Sequence, residues 1–173
     1  MISWRRVVTL CAVAVLLTTL AFSGEASAAQ SSLSRAERQV VRLVNAYRQA
    51  RGLHPLRVSR ALCRAAQRHS IHMQRHRYFG HVSPSGVSVA GRAVSCGYGR
   101  SGRAVWRVGE VIAWGSGRRG TPAAVVRGWL RSTPHRAVLL SRSWRHIGVG
   151  RVGGPFCGVA DAAVYTVDFG LRR

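Results

Sequence analysis

The sequence predicts an α+β fold in one domain. Apolar residues recur at helical spacing through the first part of the chain and change to strand-like patterning only near its end, with no regular β-α-β alternation between. A length of 173 residues suits one compact domain rather than two. With 47% hydrophobic residues, including 5 Trp, 4 Tyr and 4 Phe, the chain can build a core despite its charge, which excludes wholesale disorder.

Residues 1–28 have the layout of a secretory signal. Arg5 and Arg6 form a charged start, Val7 to Phe22 carry no charge, and Ala26-Ser27-Ala28 is a small-x-small cleavage site. The apolar run is shorter than the roughly 20 residues of a spanning helix. Export implies an extracellular domain. Residues 29–37 form a short leader and the start of a helix, and residues 38–170 form the domain.

Ser34-Arg35-Ala36-Glu37 is a capping box, after which Val40, Leu43, Val44 and Tyr47 fall at helical spacing and Gly52 supplies a stop. A second helix is expected from about Ser59 to Arg77, with Leu62, Ala66, His69 and Met73 on one face. Gly80, Pro84 and Gly86 in "YFGHVSPSG" end it. Residues 87–96 suit a short third helix, residues 97–107 a Gly- and Arg-rich loop, and residues 108–117 a short extended segment bounded by glycines. Thr121-Pro122 is an N-cap with proline at the first helical position, and Val125, Val126, Trp129 and Leu130 follow on that helix. Pro134 restarts a turn of helix through about Leu140. "HIGVGRV" (146–152) and "AAVYTVDFG" (162–170) read as strands around a Gly-Gly-Pro turn region.

The charge is unusual. There are 27 basic against 5 acidic residues, a net of +22, and every basic residue is arginine. Lysine-based covalent chemistry is therefore excluded. A surface this cationic is drawn to polyanions, although a GC-rich genome alone also produces arginine without lysine. Without residues 1–28 the chain keeps 25 arginines and four acids, a net of about +21. It also keeps Cys63, Cys96 and Cys157. Three pairings are open; Cys96 with Cys157 is favoured, because both lie in Gly-flanked segments, whereas Cys63 sits inside a helix. No CxxC, HExxH, GxSxG or P-loop occurs, which argues against a cysteine-rich zinc site, a zincin-type protease site, the common serine-hydrolase elbow and a nucleotide site.

Few groups remain that could carry chemistry. Glu110, among Val108, Val111, Ile112 and Trp114, is either a functional group or a buried acceptor needing an arginine, an imidazole or a metal beside it. His69 faces inward as a hydrogen-bonded core histidine, and His54, His72 and His76 occupy exposed positions. His81 and His135 sit at element ends, where side chains converge on clefts.

The segments "FGHVSP", "VGEVIAWG", "GWLRSTPHR", "IGVGRV" and "YTVDFG", in this order after the two helices, resemble the bacterial branch of the CAP (SCP-like) superfamily. The resemblance spans about residues 38–170. It implies a three-layer α-β-α sandwich with a small antiparallel sheet, and a cleft of two histidines and two glutamates. Carried over by motif, these are His81, Glu110 and His135, with Ser132 in place of the second glutamate and Trp129 beside it. Val111 stands where the family usually has asparagine. Two imidazoles, Glu110 and water would suit Zn2+, while a single carboxylate suits Ca2+ poorly. The resemblance implies a non-catalytic extracellular binding module for a lipid, a sterol or a protein. The charge adds an anionic envelope polymer as a partner. No specific nucleic-acid recognition is expected, because aromatic and basic residues are not interleaved, and a monomer is expected. A metal-assisted hydrolase with Glu110 as base is the alternative.

Overall fold

The structure is a computed structural model and describes residues 33–100, 102 and 104–173. The secretory leader expected at residues 1–28 lies outside them. Five α-helices are present among the described residues: α1 (Arg35–Gln49), α2 (Arg60–Arg75), α3 (Val89–Ser95), α4 (Pro122–Arg131) and α5 (Thr133–Leu139). The strands are β1 (Arg57–Val58), β2 (Trp106–Ser116), β3 (His146–Phe156) and β4 (Val159–Arg172). None of these helices is long and apolar enough to cross a membrane.

The capping box forms as expected. The Glu37 amide donates to Ser34 Oγ at 3.3 Å and the Ser34 amide to Glu37 Oε2 at 2.7 Å. Glu37 also accepts from the Arg151 amide at 3.0 Å, so one carboxylate starts α1 and ties it to β3. Thr121 caps α4 with Pro122 at its first position.

The four strands run in the order β1-β3-β4-β2. β3–β4 and β4–β2 are antiparallel, while β1 pairs in parallel with the start of β3, so the sheet is mixed rather than purely antiparallel. The two residues of β1 are too few to show alternation in the sequence. The β3–β4 hairpin also turns later than expected, at Cys157 (φ 48°) and Gly158 (φ 78°), because the Gly-Gly-Pro stretch stays within β3 and is absorbed by an irregularity at Gly154/Phe156.

Alternation along the strands produces three layers. Val111, Ile147, Val149, Tyr165, Val167 and Phe169 pack with Val40, Val44, Trp129 and Leu139 of the α1/α4/α5 layer. The opposite face meets α2 and α3: Ile112 and Val164 cluster with Met73, and Ser70 Oγ donates to Thr166 Oγ1 at 2.9 Å. α2 lies directly on β3 because Gly148 and Gly150 carry no side chain; a Cβ at either would collide with the α2 backbone at Leu62–Cys63 or Ala66–Gln67.

Cys63, Cys96 and Cys157 are all free thiols, so the favoured Cys96–Cys157 bridge is not formed. Cys96 is buried at the end of α3, where Arg68 Nη1 lies 3.5 Å from its Sγ. Cys157 is exposed at the tip of the β3–β4 hairpin.

Candidate functional site

Glu110 stands on β2 with its side chain in the α2/α3 layer, and its burial (9% exposed) forces it to find partners. Three elements supply them. Arg92 of α3 donates from Nη2 to Oε2 at 2.6 Å, His81 after α2 places Nδ1 2.7 Å from Oε1, and His69 of α2 brings Nε2 to 3.8 Å from Oε1. Arg92 reaches further, donating to the Val87 carbonyl from Nη1 and the His81 carbonyl from Nη2, both at 3.0 Å. One guanidinium therefore holds α3, the turn bearing His81, and β2 together.

Burial raises the Glu110 carboxyl, but the His81 hydrogen bond and the charge of Arg92 outweigh it and hold the group below its ordinary value. The hydrogen bond to Glu110 raises His81 against the opposing effect of burial. Burial depresses His69 to about 4, so it stays neutral, and its Nε2–H donates to the Gly80 carbonyl at 2.9 Å.

His135 arrives from the other layer, on α5. Its Nδ1 is 2.7 Å from Ser132 Oγ, and burial followed by the nearby His81 lowers its pKa. The two layers meet around the outer edge of β2. A cavity of about 370 Å³ opens there, lined by Phe79, Ile112, Trp114, Trp129, Ser132 and His135, with Arg119 also contributing. The Trp129 indole donates to the Ile112 carbonyl at 3.0 Å, covering one polar group of this edge strand. Phe79 and Trp114 remain exposed beside Phe156, their ring centroids 6.4 and 5.6 Å from it.

The sequence-derived residues thus divide by role. His135, Ser132 and Trp129 line the cavity, while Glu110 sits beneath His81 with both oxygens engaged. No group of three His, Cys, Asp or Glu side chains that could hold a metal ion occurs among the described residues. Glu110 is hydrogen-bonded to His81 Nδ1 and so orients that imidazole. Two contributors went unread. Arg92 is one of 27 basic residues, with nothing in its spacing to single it out. Asp168 lies opposite Glu110 in the β2–β4 register and is fully buried. Its signal was available: an acid within the apolar strand "YTVDFG" needs an explanation. Burial, then the charge of Glu110, pushes Asp168 well above the ordinary carboxyl range, so it is a neutral acid beside an ionised one.

An α-β-α sandwich with a buried glutamate under one histidine and a second histidine across an edge-strand cleft defines the class: a CAP-type domain. Residues 41–169 match the cysteine-rich secretory protein family (CAP), and the chain belongs to it. It is 38% identical over 126 residues to the uncharacterized protein YkwD of Bacillus subtilis (strain 168), covering 73% of this chain and 46% of that protein. It is 34% identical to the uncharacterized membrane protein YlbC of the same organism, covering 77% of this chain and 34% of that one. The chain thus spans less than half the length of these curated relatives. Among solved structures, an extracellular protein containing a SCP domain from Bacillus anthracis str. Ames superposes with a TM-score of 0.61 at 27% identity, covering 78% of this chain and 39% of that one. An outer surface protein from Borrelia burgdorferi shares the fold, with a TM-score of 0.62 at 23% identity, covering 78% of this chain and 90% of that one.

Proposed function

We propose that this protein is a non-catalytic extracellular binding module whose ligand enters the β2-edge cleft. The observation that carries this reading is the sealed state of Glu110: a carboxylate hydrogen-bonded through both oxygens and almost without exposure is held as a strut, out of reach of the water a general base must activate. The cavity beside it has an apolar floor of Ile112 and Trp129, aromatic walls of Phe79 and Trp114, and a polar end at Ser132, His135 and Arg119. Such a lining suits a ligand with an apolar body and a polar or anionic end, as a lipid has. The net charge of +22 favours anionic ligands and envelope polymers for the same reason. Extracellular placement rests on the expected leader at residues 1–28 and on the extracellular relative.

A zinc ion belongs to this reading only through the two imidazoles. His81 and His135 spend Nδ1 on Glu110 and Ser132, which leaves each Nε2 as the donor, with water completing the shell. Tryptophan fluorescence during titration with oleate tests the cleft. Saturable quenching that weakens in Trp114→Ala supports it, and parental quenching in that variant refutes it. Zinc calorimetry on His81→Ala and His135→Ala tests the metal, where binding equal to the parent rules it out. Peptide or ester hydrolysis abolished by Glu110→Gln would overturn the non-catalytic reading.

A further inference from the structure

A second group of imidazoles lies away from the cleft, at the end of α2. His72 and His76 are one helical turn apart, with ring centroids separated by 4.1 Å and planes inclined by 31°. Tyr78 approaches His72 edge-on and brings its hydroxyl 2.9 Å from His72 Nδ1. The same hydroxyl lies 3.5 Å from Nδ1 of the buried His69.

These contacts assign the protons. His69 is 1% exposed and its Nε2 faces the Gly80 carbonyl, which can only accept, so Nε2 carries the hydrogen and Nδ1 is a bare acceptor. A buried acceptor left without a donor is costly, and the Tyr78 hydroxyl is the donor in reach. Tyr78 has one proton; once it is given to His69, its oxygen accepts from His72, so His72 Nδ1 carries the hydrogen. The His72 lone pair is then on Nε2. A chain that starts at a backbone carbonyl fixes the tautomer of a solvent-reachable histidine beside a second, exposed one.

We propose that His72 and His76 form a two-imidazole site for a borderline divalent transition-metal ion (Ni2+, Cu2+ or Zn2+), with His72 Nε2 as the preset donor and Tyr78 as its positioning residue. Imidazole pairs at i, i+4 are a helical metal-binding arrangement, and a donor held by an outer hydrogen bond loses little freedom on binding. Burial and His76 also lower His72, which keeps it neutral at pH 7. Arg75 and Arg77 flank His76 and oppose a cation, so neutral nitrogen donors must carry the binding.

Nickel calorimetry at pH 7.5 tests this, in a Cys157→Ser background that removes the exposed thiol. One Ni2+ should bind this site. His72→Ala and His76→Ala should each weaken it about tenfold or more, about 1.4 kcal/mol. Tyr78→Phe should weaken it about tenfold by releasing the tautomer, and His81→Ala and His135→Ala should leave it unchanged. Nitrogen chemical shifts of His72 should show the Nδ1–H form in the free protein. Parental affinity in His72→Ala/His76→Ala, parental affinity in Tyr78→Phe, or an Nε2–H tautomer at His72 each overturns the proposal. Loss confined to His81→Ala and His135→Ala overturns it as well, while supporting metal in the cleft.

Discussion

Arg92→Ala probes the centre of the site most directly. Arg92 and Glu110 are 8% and 9% exposed, so the pair belongs to the buried class, where removing one partner costs about 3–5 kcal/mol. The guanidinium also serves the Val87 and His81 carbonyls, and each lost hydrogen bond adds about 1 kcal/mol. The remaining imidazole at Glu110 offsets part of this loss, because protonated His81 can carry the compensating charge. The expected cost therefore lies near 4 kcal/mol, a large fraction of the roughly 5–15 kcal/mol stability of such a domain. Urea unfolding at pH 7 reads it as a lower midpoint at constant slope. Glu110→Gln in the Arg92→Ala background should recover part of the loss, since a neutral amide no longer requires a cation. In a double-mutant cycle the two changes should couple by more than about 1 kcal/mol. A single-variant cost below about 1 kcal/mol, or strict additivity, would refute the account of Glu110 as a charge held by Arg92.

The remaining expectations concern pH, packing and thiols. His69 has a folded value of about 4 against 6.5, so the unfolded chain takes up its proton first and stability falls as pH drops from about 6.5 towards 4. Glu110, depressed in the fold, adds a further loss as pH falls through its folded value, whereas the raised His81 contributes stability that disappears as pH rises through its own. Unfolding midpoints across this range should show the acid slope reduced in His69→Gln; an unchanged slope removes His69 as its source. Asp168 keeps its proton in the fold and loses it in the unfolded chain, so Asp168→Asn should gain on the parent as pH rises above the ordinary carboxyl range, and a constant difference across pH would contradict this. Gly150→Ala forces a Cβ into the backbone of α2 and should cost at least about 1–3 kcal/mol, measured as a lower Tm; a neutral effect would mean that α2 can lift off β3. A thiol reagent should modify Cys157 promptly and Cys63 only on unfolding, because burial pushes the Cys63 thiol up to about 11; equal rates would sink this assignment.

Local signals explain why much of the fold could be read from the sequence. Ser34 with Glu37 and Thr121 with Pro122 mark helix starts by side chains that act within three residues, so the sequence contains both ends of the interaction. His69 was legible as a core histidine because its position on α2 alone sets its burial. What escaped depends on distant segments. β1 exists because Arg57 and Val58 meet His146 and Ile147, nearly ninety residues away. Arg92 acquires its role only when α3 is laid against β2, and Asp168 only when β4 aligns with β2. The sequence could state that Glu110 needed a partner, but Arg92 and His81 reach it only through the packing of α3 and the turn after α2 against β2.

The same packing decides what the cleft presents to a ligand. Beyond residues 1–28 there are four acids, and the fold takes the charge of three of them inside. Glu37 is consumed by the start of α1 and the Arg151 amide, Glu110 is matched by Arg92 and His81, and Asp168 is neutralised by burial. Asp161 is the acid left exposed. The arginines are not hidden in proportion, so the outward field is almost wholly cationic, and at the cleft Arg119 has no carboxylate among the cavity-lining residues to oppose it. Ser132 sharpens this effect: a glutamate there would have placed a negative charge beside His135, whereas the hydroxyl orients the imidazole and adds no charge. An anionic group entering beside the aromatic walls therefore meets Arg119 and the His135 imidazole without a carboxylate among the lining residues to compete. These electrostatics support the proposed ligand, an anionic group carried on an apolar body.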